Sequence, residues 1–317
     1  MSHRTCLILV ALLLTAGPDG QACGACGCTL NSDWASQGYA AQPGFRSDLR
    51  FDYFNQDQLR TGTHSVDRGS FTLPNDHEIQ QQTLNRNLTL TLDYSPDADW
   101  GMAVMVPAYD RTHATIAAGD TAPSSSQANG LGDVRVLGRY QGFSVDHSFG
   151  VQFGLKLPTG DTNQTFNAGV EAGQPLDAGL QLGTGTTDLL LGFYAFGSLA
   201  PDWGCFGQVL FQKPMVERHG FKPGDGVNAS LGLRYAGFAE FTPQLQLNLR
   251  AEGRETGLNA DTPDSGATLV YLSPGLTYSL SHSLQIYAFG QVPVAQRVNG
   301  LQLEPRFSVS LGLHFTF

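Results

Sequence analysis

Apolar and polar residues alternate with a period of two in segment after segment of this chain. Near its end, Phe307, Val309, Leu311, Leu313, Phe315 and Phe317 share one parity, and Ser308, Ser310, Gly312, His314 and Thr316 share the other. A period of two puts successive side chains on opposite faces of a β-strand, so one face here is greasy and the other small or polar. The same pattern runs through "NLTLTLDY" (87–94), "VNASLGLRY" (227–235) and "QLQLNLRAEGR" (244–254). It predicts twelve strands, at 45–55, 82–94, 99–109, 131–141, 146–158, 186–199, 203–214, 226–237, 243–254, 268–280, 283–294 and 306–317.

The connections alternate in length. "SPDAD", "QGFSVD", "APD", "GFAEFTP" and "SHS" are short, whereas 56–81, 110–130, 159–185, 215–225, 255–267 and 295–305 are longer and rich in turn formers. Strands of about ten residues joined by alternately short and long connections are the hairpin layout of a transmembrane antiparallel β-barrel, with short periplasmic turns and longer extracellular loops. Alternation alone also fits a secreted β-sandwich, which packs its apolar face inward. Two features favour the membrane. Aromatics cluster near strand ends (Tyr94, Trp100, Tyr109, Tyr140, Trp203, Tyr235, Tyr278), where an interfacial girdle lies, and the last strand closes on Phe317. A terminal aromatic on an alternating strand resembles the signal read by the bacterial barrel-assembly machinery, which implies a Gram-negative outer-membrane protein.

Composition sharpens this picture. The chain is 15% charged, with 38 glycines among 317 residues, and reads unlike a typical soluble enzyme. Arg4, the apolar run Cys6–Leu14 and the small-residue stretch Gly20-Gln21-Ala22 form a secretory signal over 1–22. That leaves a Cys-rich periplasmic segment over 23–44 and a barrel over 45–317. No later stretch offers the roughly 20 uninterrupted apolar residues of a membrane helix. A formal net charge of −10 argues against nucleic acid as a partner. The partners expected are outer-membrane lipid, the assembly machinery and a small-molecule solute.

If the greasy face meets lipid, the polar face lines a lumen. By parity its candidates are Arg46, Asp48, Arg50 and Asp52 on the first strand, then Asp133, Arg135, Arg139 and Lys156, and further on Arg234, Arg250, Glu252 and Arg254. Either these charges neutralise one another and fill a narrow barrel, or they form a constriction that sorts small solutes by size and charge. Tyr271, Tyr287 and Phe289 also fall inward, so part of the lumen suits an aromatic or apolar solute.

Three stretches carry a resemblance. "GLGDVRVLGRY" (130–140), "FGLKLPTGDTN" (153–163) and "QLGTGTTDLLLGFYAFGSL" (181–199) resemble, in order and spacing, the outer-membrane family called putative MetA-pathway of phenol degradation. The resemblance implies a porin-like transporter associated with the breakdown of aromatic compounds. Read from the residues alone, Lys156-Leu157-Pro158-Thr159-Gly160 is a strand stop, because proline lacks the ladder donor and glycine begins a turn. Gly183-Thr184-Gly185 starts the strand that follows.

The Cys-x-x-Cys-x-Cys head (Cys23, Cys26, Cys28) lies outside that pattern. Clustered soft thiolates suit Cu(I) or Zn, an oxidising periplasm suits disulfides, and a lipid anchor on Cys23 is a third reading. Cys205 shares the parity of Val209 and Phe211, which makes it a small apolar residue on the lipid face. No convincing catalytic constellation emerges. His147 faces outward, as a barrel phospholipase would require, but it starts a strand at the periplasmic end and no outward serine adjoins it. The reading is a non-enzymatic channel for passive passage of small, aromatic or hydrophobic solutes. The alternative is a barrel anchor whose Cys head binds a soft metal or a periplasmic partner.

Overall fold

The computed structural model describes Leu30, Trp34, Gln37, Gly38 and residues 43–317. Among these residues the strands are β1 (Gly44–Gly62), β2 (His64–Ser65), β3 (Ile79–Ser95), β4 (Trp100–Ile116), β5 (Ser124–Leu131), β6 (Arg135–Tyr140) and β7 (Phe149–Lys156). They continue with β8 (Asp188–Ala200), β9 (Trp203–Pro214), β10 (Gly226–Tyr235), β11 (Phe241–Glu252), β12 (Ala267–Ser279) and β13 (Leu284–Thr316). All thirteen belong to one sheet, in which neighbours in space are neighbours in sequence and β13 returns to pair with β1. Eleven strands form this closed antiparallel barrel. The other two lie off the ring: β2 folds back on the tip of β1, and β5 runs along the outer half of β4.

The ring therefore holds eleven strands where twelve are expected. The difference lies in β13, which unites the segments 283–294 and 306–317. Its first arm pairs with β12 from Ser279↔Gln285 to Ala267↔Val298, and its second pairs with β1 from Thr61↔Leu301 to Arg46↔Thr316. The chain reverses at Asn299 and Gly300, whose φ of +55° suits glycine, so 295–305 is a hairpin tip and not a loop. Likewise β1 and β4 run on into 56–62 and 110–116, stretches that read as loops because both of their faces are mostly polar. Beyond the lipid a ladder needs no greasy face to continue.

Burial decides between a sandwich and a membrane barrel. The greasy parity faces out: Leu90, Leu191 and Leu245 are 37%, 45% and 44% exposed, whereas the polar Asn85, Gln246 and Asn248 are fully buried. This reverses the order of a water-soluble protein, and it is stable where lipid surrounds the sheet and a closed ladder satisfies the backbone. At the short-turn end the aromatics form contacting chains. Trp100, Tyr140, Phe143 and Phe149 stand 4.7–5.2 Å apart by ring centroids, and Trp203, Tyr235, Phe238 and Phe241 stand 4.5–5.2 Å apart. Inside, large rings lie over glycines across the ladder: Phe289 covers Gly275 and Tyr287 covers Gly312, where any Cβ would collide with the ring. No helix among the described residues is long and apolar enough to cross a membrane.

Candidate functional site

The barrel holds a cavity of about 220 Å³ whose wall includes Arg46, Arg50, Arg135, Arg139 and Arg250 against Asp48, Asp52 and Asp93. The register pairs these charges across strands. Asp93 on β3 accepts from both Arg46 on β1 and Arg139 on β6, and Ser95 bonds the same two guanidiniums. Arg50 pairs with Asp52 at 2.8 Å, and Asp52 takes a hydrogen bond from Ser310 at 2.6 Å. Arg250 pairs with Glu252. Buried ion pairs with further hydrogen bonds fix side chains in place more than they stabilise the fold.

A plug occupies the short-turn end. Trp34 is 7% exposed; its ring stacks on His314 at 4.2 Å and meets Tyr287 edge-on at 5.6 Å. Its indole N–H donates to Asp48 Oδ2 at 3.0 Å, and Asp48 Oδ1 accepts from the Tyr287 hydroxyl at 2.9 Å. Leu30 completes this cluster with Tyr287 and Phe289. Arg234, by sequence a bare lumen charge, donates to the Gln37 carbonyl at 2.7 Å, and Gly38 lies against the Phe196 ring. These four residues belong to the segment expected to stay in the periplasm. They sit inside the barrel, where the Trp34 ring leaves water and its N–H still finds a partner.

At the opposite end the three sequence motifs converge on one knot. Asp133 of Gly-Leu-Gly-Asp accepts from the Gly160 N–H at 3.0 Å, the Thr184 N–H at 2.9 Å and the Lys156 ammonium at 2.9 Å. Lys156 also reaches Asp188 at 3.1 Å, and the Thr159 hydroxyl donates to the Gly132 carbonyl at 2.9 Å. Asp133 and Lys156 thus brace the root of the 157–187 loop and do not line the cavity. The loop bends inward on an apolar cluster of Phe166, Leu176 and Leu180. Arg111 pins it there, donating to Asn85 at 2.8 Å and to the carbonyls of Gly179 and Gln181 at 3.3 Å. Where this loop meets two others, Glu78 is surrounded by carboxylates. Burial, followed by the charge of Asp177, raises the Glu78 carboxyl to about 7, and burial and Asp261 raise Asp177.

Of the other sequence candidates, Tyr271 is buried among Ala267, Leu269 and Val298, and Phe317 is 76% exposed at the rim, where its N–H bonds the Phe45 carbonyl at 3.0 Å. His147 bonds Asp99 at 2.8 Å in a turn of the short-turn end. Cys23, Cys26 and Cys28 lie outside the described residues. Cys205 is not a bare apolar residue: it is disulfide-bonded. Among the described residues, no group of three or more His, Cys, Asp or Glu side chains is placed to hold a metal. Sequence reasoning missed Trp34, Asp93 and Arg111. Asp93 stood on the polar parity of its strand, but its two arginine partners lie 46 and 47 residues away and become visible only through the register.

A family model described as putative MetA-pathway of phenol degradation matches residues 61–311, well over half of the chain. A comparison with curated proteins gives no match. Among solved structures, an outer-membrane channel from Pseudomonas putida F1 superposes with a TM-score of 0.62 at 13% identity, over 87% of this chain and 96% of that one. A mutant of the monoaromatic hydrocarbon channel TodX superposes with a TM-score of 0.50 at 10% identity, over 95% and 97% of the two chains. At these identities the likeness is one of fold.

Proposed function

This chain belongs to the putative MetA-pathway of phenol degradation family, and from that premise we propose that it is an outer-membrane channel for passive passage of small solutes. The carrying observation is an internal cavity with a charged wall inside a barrel whose outer face is apolar. In this reading the short-turn end is periplasmic and the 157–187 loop faces the exterior. Both ends are narrowed, by Trp34 below and by the inward loop above, so the channel passes small molecules and excludes large ones. Five arginines against three aspartates on the cavity wall favour anions over cations. The fold resemblance to a channel for monoaromatic hydrocarbons supports solutes with apolar parts. Purified protein in liposomes is expected to admit small ions and aromatic acids faster than protein-free vesicles. No flux of ions, sugars or aromatic acids would overturn the channel and leave a barrel that serves as an anchor.

A further inference from the structure

We propose that the lumen holds a binding site for a carboxylate carried on a small apolar ring, formed by Arg135 and the apolar strip beside it. This rests on the channel reading and names the solute class. Of the five cavity arginines, four have a carboxylate partner: Arg46 and Arg139 share Asp93, Arg50 has Asp52, and Arg250 has Glu252. Arg135 has none. Its one hydrogen bond is to Gln212 Oε1 at 3.5 Å, the long limit for such a bond. The nearby carboxylates are engaged elsewhere, since Asp133 and Asp188 both hold Lys156, and Asp188 also accepts from Gln212. Arg135 is only half-buried, so its remaining donors face the water of the cavity. A guanidinium with open donors receives a carboxylate through two parallel hydrogen bonds, a geometry that no neutral ligand matches.

The wall around it carries an apolar strip. Met105 stands directly across the ladder from Arg135, and Pro107, Leu137 and Leu210 join it on the cavity surface. The next strand over is polar, with Asn87, Thr89 and Thr91 on β3 beside Tyr109, Pro107 and Met105. A simple inorganic anion would use Arg135 and leave the strip wet. A neutral ring would cover the strip and leave the guanidinium without a partner. A ring bearing a carboxylate satisfies both at once.

Equilibrium binding tests the site apart from transport. Full-length protein in detergent is titrated calorimetrically with benzoate, cyclohexanecarboxylate, acetate and phenol, for wild type, Arg135→Met, Arg135→Lys and Leu137→Asn, each checked for folding by its heat-modifiable gel band. Wild type is expected to bind both ring carboxylates at least about tenfold more tightly than acetate or phenol, the loss due to one charge-assisted contact. Arg135→Met should lose that preference over phenol, Arg135→Lys should keep part of it, and Leu137→Asn should weaken ring carboxylates without affecting acetate. Equal benzoate affinity in wild type and Arg135→Met, equal wild-type affinity for phenol and benzoate, or no benzoate binding would each overturn the site. Ion conductance in planar bilayers without benzoate separates the two claims: conductance without binding removes the site alone, and binding without conductance removes the channel alone.

Discussion

Replacing Trp34 with alanine should open the short-turn end. The side chain is held by a stack on His314, an edge contact with Tyr287 and an N–H bond to the Asp48 carboxylate. A tryptophan buries about 150–250 Å², worth roughly 4–6 kcal/mol at about 25 cal/mol per Å². Measured truncations of buried tryptophan cost about 3–5 kcal/mol, so about 3 kcal/mol is a conservative figure for the seat, with Gln37 and Gly38 still holding their own contacts. Tenfold per 1.4 kcal/mol then raises the unseated population by about 100-fold. Asp48 keeps the Tyr287 hydroxyl, so the barrel wall should survive the change. Single-channel recording in planar bilayers reads the result directly, with Trp34→Ala showing longer and larger openings than wild type. Trp34→Phe, which keeps a ring but loses the N–H donor, should fall between them. A folded Trp34→Ala protein with the wild-type conductance and closed fraction would refute the plug.

The loop contact at Glu78 should loosen as pH rises. Its carboxyl is raised from an ordinary 4.5 to about 7, so the contribution of the neutral form is fully present below about 4.5 and lost as pH rises through 7. Charges facing it are Asp177 and, farther off, Asp261, with His113 Nε2 4.0 Å away. Hydrogen exchange in 157–187, corrected for its intrinsic pH dependence, should show more opening at pH 8 than at pH 5, and Glu78→Gln should flatten the difference; an unchanged pH response in that variant would contradict the assignment. At the C-terminus, Phe317→Ala preserves the backbone bond to Phe45 but removes a ring 5.5 Å from that of Phe45. If the terminal aromatic is read by the assembly machinery, less heat-modifiable barrel should accumulate in cells while refolding in detergent proceeds normally, and an unchanged cellular yield would argue against recognition.

Alternation exposed the barrel because lipid imposes it residue by residue: Leu88, Leu90 and Leu92 face out, and the residues between them face in. Where the strands leave lipid the rule lapses. Gln56, Asp57, Gln58 and Arg60 continue the β1 ladder with Leu59 as the one apolar residue among them, too little to read as a strand, so the sequence shows a loop where the structure has a hairpin. Parity likewise found most of the lumen charges but not their partners. Which arginine meets which aspartate depends on the stagger of neighbouring strands, a property that no single strand carries. The three family motifs had the opposite fate. Two of them read separately as a strand stop and a strand start, and all three together form the Asp133 knot, a joint reason for glycine, threonine and lysine at those places.

The net charge of −10 also proved a poor guide to the lumen. Many of the acidic residues sit in connections: Asp97 and Asp99 in one short turn, Glu78, Asp177, Asp261 and Asp264 where the long loops meet. The cavity wall instead holds five arginines and three aspartates. Whole-chain charge governs what approaches the barrel from afar, within about one Debye length of its rim, whereas the wall governs what rests inside, where the surrounding protein screens charges less than bulk water and each unpaired charge counts for more. An anion entering past the acidic loops crosses a repulsive mouth to reach an attractive interior. Such an arrangement disfavours multiply charged anions most, because repulsion at the mouth grows with each added charge while Arg135 can fork only one carboxylate. The charge layout therefore points the same way as the apolar strip, toward a solute with a single negative group and a largely apolar body.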